Sequence, residues 1–136
     1  MTDERSTDPL VLRERAQQQF VALRASMLAV EATFKHEADV AGALIGVLAG
    51  DDTVTKIVEP FDVTGERVRL NNVLDSYETR RREARLSLWR LLLSEGCTIN
   101  DVSRMFGLSR QLVSRQLNAA SSPDPAPEPT LDAASD

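Results

Sequence analysis

Arg110, Gln111, Ser114 and Arg115 stand close together late in the chain, and their types suit one kind of chemistry. An arginine guanidinium pairs bidentately with O6 and N7 of guanine, and a glutamine amide does the same with N6 and N7 of adenine. Serine, threonine and asparagine side chains bind phosphate oxygens instead, fixing register without reading sequence. All four residues fall within TINDVSRMFGLSRQLVSRQLN, residues 98–118, where two short helical patterns meet at Gly107. The spacing predicts two helices joined by a tight turn, the second presenting its arginine and glutamine outward. Such a helix-turn-helix places its second helix in the DNA major groove.

Those side chains need a frame, and the flanking residues supply one. Thr98 is placed to cap the first helix, with its hydroxyl accepting from the amide near Asp101. Asp101 lies three residues on, where a carboxylate suits the positive end of a helix. Ile99, Val102 and Phe106 recur at intervals of three and four and make one apolar stripe. Gly107 is the residue type expected where the chain turns left-handed after a helix. Leu108 fills the turn and Ser109 caps the second helix. Val113 and Leu117 then face the first helix, and Ser103 must be small because the helices cross there.

The segment resembles the helix-turn-helix of the lactose-repressor class, which reads roughly T-L-x-D-V-A, G-V-S, x-Q-T-V-S-R and a late asparagine. This chain has Thr98, Ile99, Asp101, Val102, Ser103, Gly107, Leu108, Ser109, Arg110, Gln111, Leu112, Val113, Ser114, Arg115 and Asn118. The resemblance implies a bacterial transcriptional regulator in which Arg110, Gln111 and Arg115 face base edges. It sets Thr98, Ser109, Ser114 and Asn118 beside phosphates, and Arg104 adds a phosphate contact from the first helix. Sigma-factor-like, resolvase-like and transposase-like modules share much of the pattern. Leu112 departs from it: a polar residue is expected there, so one contact becomes apolar or turns inward. The segment also lies late in the chain with no sugar-binding domain after it, so nothing about sugars carries over.

The net charge of −5 opposes DNA binding until it is divided along the chain. Residues 1–64 carry −5 and residues 121–136 carry −4, whereas residues 65–120 carry +4, every basic side chain there being arginine. Local field governs phosphate contact within a Debye length of ~8–10 Å. A single cysteine, Cys97, excludes an internal disulfide and fits a reducing cytoplasm. His36 is the one histidine and has no partners at ligand spacing, so no metal site is expected. There is no Gly-rich phosphate loop and no nucleophile with its base, which argues against an enzyme, a cofactor or a small-molecule ligand. No apolar run reaches membrane-spanning length, and the polar N-terminus is no secretory signal.

Asp8 and Pro9 mark a helix start, after which the pattern stays helical from Leu10 to Leu48. Phe20, Leu23, Met27, Val30 and Phe34 alternate by three and four, and the alternation resumes at Ala41, Leu44 and Leu48. That seam predicts pairing of two subunits, the alternative being that it packs back on its own chain, with a break near residues 36–40 and a far end weakened by Gly42, Gly46 and Gly50. A shift of 45 residues sets Thr53 on Thr98, Phe61 on Phe106, Thr64 on Ser109 and Val68 on Val113. Residues 39–74 therefore read as a worn copy of the same unit. The alternative is a β-hairpin, because VTKIV and RVRL are β-branched and alternating, with Pro60 and Gly65 between them. Residues 70–95 read as one helix bearing the cluster Arg80, Arg81, Arg82 and Arg85, a candidate phosphate track or a solvated face paired with Glu78 and Glu83. Gly96 ends that helix, and Trp89 belongs to the core.

The expectation is an all-α protein. A flexible start (1–8) precedes an N-terminal helical dimerisation region (9–49), and a middle helical unit with connecting helix covers 50–79. A helix-turn-helix DNA-binding domain follows at 80–120, and a disordered acidic, Pro-rich tail at 121–136. Such a chain binds double-stranded DNA as a homodimer through its N-terminal helix, in the nucleoid of the cytoplasm. Two other readings stand beside it: a sigma-like, polymerase-binding adaptor, and a DNA-binding accessory of a recombinase or transposase.

Overall fold

The computed structural model describes residues 8–51 and 53–120, so the acidic tail lies outside the described residues. Five helices make up the fold: α1 (Pro9–Leu48), α2 (Val54–Val58), α3 (Val63–Ser94), α4 (Ile99–Phe106) and α5 (Arg110–Ala120). The chain divides into two compact units, one built from the start of α1 to Arg15 together with residues from Arg85 onward, the other spanning Ala16–Ala84. No helix is long and apolar enough to cross a membrane, among the described residues.

Helix α1 starts where the Asp8 carboxylate accepts from the Leu10 amide at 3.0 Å, with Pro9 as its first residue. It then runs unbroken through the interval where a break is expected. Nothing between His36 and Val40 is a helix breaker, and a half-buried stripe continues across it through Val30, Thr33, Glu37, Val40, Leu44 and Val47. That stripe offsets the cost of Gly42 and Gly46, about 1 kcal/mol each relative to alanine.

The predicted seam of α1 is split. Leu23 is buried and Val30 and Leu44 are half-buried, whereas Phe20, Met27, Phe34 and Leu48 are exposed. Within the second unit, His36 Nε2 lies 3.2 Å from Glu66 Oε1, linking α1 to α3. A groove between these helices is lined by Ala32, Thr33, Glu37, Leu70, Asn72 and Val73 among others.

The hairpin alternative for the middle does not hold: VTKIV forms α2, RVRL lies inside α3, and no strand occurs among the described residues. Helix α3 begins seven residues before Leu70 because Asp62 caps it. The Asp62 carboxylate accepts from the Gly65 amide at 3.0 Å and its carbonyl accepts from the Glu66 amide at 2.8 Å. The middle is helical, but Asp62 caps α3 where a copy of the late segment would need a left-handed turn. Thr53, the counterpart of Thr98, makes no side-chain cap bond.

In the other unit the core is Leu86 and Trp89 of α3, Val102 of α4 and Val113 of α5, with Ile99, Phe106, Leu108 and Leu117 packed around it. Trp89, Val102 and Val113 are wholly buried. Phe106 meets the Trp89 ring edge-on at 5.8 Å between centroids, a favoured aromatic geometry. Helix α3 ends at Gly96 (φ 103°), where the Gly96 amide bonds to the Leu93 carbonyl and the Cys97 amide to the Leu92 carbonyl. This paired closure satisfies carbonyls at the helix end and turns the chain toward α4.

Because three helices share the Trp89 ring, Trp89→Ala should cost about 3–5 kcal/mol. Thermal unfolding followed by far-UV circular dichroism, which reads the helices and not the lost indole, checks this. A melting temperature within a degree or two of wild type would contradict it.

Candidate nucleic-acid interface

Helix α4 is fixed at its start by a reciprocal cap. The Asp101 amide donates to Thr98 Oγ1 at 3.1 Å and the Thr98 amide donates back to Asp101 Oδ2 at 2.9 Å. Arg104 reaches from one turn on to the other carboxylate oxygen, Oδ1. Those contacts hold the Asp101 carboxyl below the usual carboxylate range, first through the Thr98 backbone amide, then the Thr98 side chain, then Arg104. Gly107 follows in the left-handed region (φ 65°, ψ 33°), where a Cβ would be strained. The Leu108 amide returns to the Ser103 carbonyl at 3.0 Å. Ser103 Oγ in turn donates to the Leu108 carbonyl, so this small residue ties the turn as well as fitting the crossing.

Helix α5 opens on Ser109, whose Oγ accepts from the Leu112 amide at 3.1 Å. Its faces separate cleanly. Val113 is buried and Leu112, Gln116 and Leu117 are half-buried, whereas Arg110, Gln111, Arg115 and Asn118 are exposed and Ser114 is half-buried beside them. At 100° per residue the polar set spans about 140° of the helix. Among the described residues, the side chains of Arg110, Gln111 and Arg115 make no hydrogen bond or ion pair. Their donors are therefore uncommitted, and no acidic side chain lies on α5 to neutralise the arginines.

The residues expected at phosphates stand differently from one another. Thr98 and Ser109 are exposed, and each spends its oxygen as an acceptor for a helix cap. The hydroxyl proton of each still serves as a donor to an anion. Arg104 is exposed but ion-paired with Asp101, so a phosphate there competes with a carboxylate. Leu112 turns partly inward, the second of the two options its position left open.

One group escaped sequence reasoning. Arg85, grouped with a candidate phosphate track, lies over the Trp89 ring at 5.1 Å and donates through Nη2 to Gln116 Oε1 at 2.6 Å. It joins α3 to α5 and sets the rotation of the latter. The clue in the sequence was its four-residue spacing from Trp89, which puts both on one helix face. Arg80 and Arg81 pair with Glu83 and Glu78 at 3.4 and 3.0 Å, the alternative reading of that cluster.

Away from this surface, His36, Glu37 and Glu66 bring ligand-type atoms within 4.8 Å of one another. Sequence spacing gave no sign of it, because Glu66 comes from α3. Arg69 Nη2 already lies 2.7 Å from Glu66 Oε1 and, with His36, holds that carboxyl below its usual range. A cation there would have to displace or tolerate the guanidinium.

Compared with known proteins, the chain matches no family model, no curated protein and no solved structure.

The cap makes two predictions. Thr98→Ala should destabilise the α4–α5 unit by about 1 kcal/mol, seen as a lower midpoint in urea; an unchanged midpoint would contradict the cap's role. Asp101 is depressed on folding, so its stabilisation is complete above its ordinary value of about 3.9 and is lost as pH falls through the lower folded value. Wild type should therefore lose melting temperature on acidification more steeply than Asp101→Asn, and parallel curves would count against it.

Proposed function

We propose that this chain is a sequence-specific, double-stranded DNA-binding transcriptional regulator that sets α5 into the major groove. The supporting observation is the uncommitted face of α5: Arg110, Gln111 and Arg115 are exposed, with Gln111 and Arg115 on the side opposite buried Val113 and Arg110 at the helix start. In this reading Arg110 and Arg115 suit guanine and Gln111 suits adenine. Ser114, Asn118, Ser109 and Thr98 donate to flanking phosphates, and Arg104 joins them when it leaves Asp101. The protein acts in the cytoplasm at the nucleoid, as a homodimer joined through α1, on half-sites spaced about one helical turn, ~34 Å.

A role as an adaptor that binds polymerase or another regulator draws on Met105, a large apolar side chain 55% exposed on α4. The two readings separate in one assay, fluorescence anisotropy against genomic fragments at low and moderate salt. DNA binding predicts saturable binding that weakens with salt and persists on a selected fragment. Arg110→Ala should then cost about 1–3 kcal/mol on the selected site and relax one base position. Equal loss on a scrambled duplex would reassign Arg110 to a phosphate. Absence of binding to any fragment at low salt would overturn the proposal in favour of the adaptor.

A further inference from the structure

The exposed edge of α1 carries an ordered pattern that the α5 surface does not use. Phe20, Met27, Leu28 and Phe34 are 41%, 46%, 50% and 51% exposed. Positions 20, 27 and 34 recur every seven residues, so these side chains form one apolar strip about 21 Å long on a continuous helix. Exposed apolar strips of this kind mark interaction surfaces in water. Two charges interrupt it, Arg24 and Glu31, both exposed and neither with its side chain in a hydrogen bond or ion pair among the described residues.

The placement of those charges identifies the occupant. Arg24 lies three to four residues before the point between Met27 and Leu28, and Glu31 lies the same distance after it. A two-fold axis through that point brings Arg24 of one copy against Glu31 of the other, twice over. It also sets Met27 of each copy against Leu28 of the other, and brings Phe20 within one residue, about 1.5 Å along the axis, of facing Phe34 of the second copy. An interface of this type must be self-complementary, residue i meeting j while j meets i. Parallel pairing in register instead opposes Arg24 to Arg24 and Glu31 to Glu31, with like charges in contact. An unrelated partner would require no symmetry about residues 27 and 28.

We infer that α1 pairs with α1 of a second copy in antiparallel order, through the face bearing Phe20, Arg24, Met27, Leu28, Glu31 and Phe34. This assigns a face and a direction to the homodimer of the proposed function. It rests on that dimer and is independent of DNA binding.

Charge reversal at these exposed positions tests it without touching the folded core. Sedimentation equilibrium of the full chain should give a dimer for wild type. Arg24→Glu and Glu31→Arg should each weaken dimerisation by roughly tenfold, since each turns two facing ion pairs into like-charge contacts. The double variant R24E/E31R should recover wild-type affinity. A wild-type dimer indifferent to the single reversals, or not restored by the double, would overturn the antiparallel face while leaving a dimer in place. A strictly monomeric wild type would overturn both the face and the dimer.

Discussion

The direction in which α5 presents its side chains depends on the burial of Trp89 between α3, α4 and α5. With Val102 and Val113 wholly buried in the same core cluster as the ring, α5 has one rotation that keeps Val113 and Leu117 inside. That rotation turns Arg110, Gln111 and Arg115 out. Rolling α5 by a third of a turn would expose Val113, at about 1.5–3 kcal/mol for a fully buried side chain. It would also break the bond between Arg85 and Gln116. The polar face is thus held by apolar contacts behind it, and the caps at Thr98 and Ser109 fix where each helix begins.

Much of this was legible in residues 98–118 because every constraint there is local. A cap and its partner lie three residues apart, the left-handed turn demands a glycine, and the apolar stripe declares the buried side. The start of α1 at Asp8 and Pro9 and the end of α3 at Gly96 were readable for the same reason. The middle was harder. VTKIV and RVRL have the composition of strands, but a strand needs a partner, and Asp62 instead starts a helix that draws RVRL into α3. β-propensity records a fit to a half-buried pleated surface, and with no sheet to join it decides nothing.

The arginines show a second limit of sequence reading. Arg80, Arg81, Arg85 and Arg104 look alike in the chain, yet each is committed to a different partner: Glu83, Glu78, the Trp89–Gln116 pair and Asp101. Arg110 and Arg115 differ from them only in what surrounds them. Charge counted along the sequence could place the basic region but could not say which guanidinium groups remain available. The seam of α1 divided for a related reason: one heptad column meets the protein's own interior, and the adjoining column stays exposed.

The central claim is that the outward face of α5 meets base edges while its inward face holds the fold. The most direct measurement is an amide and side-chain NMR titration of the full chain with a duplex selected from genomic fragments. The account predicts the largest shifts at Arg110, Gln111, Ser114 and Arg115, with Trp89 and Val113 nearly still. Saturable binding that leaves those four unmoved and shifts another surface would contradict it.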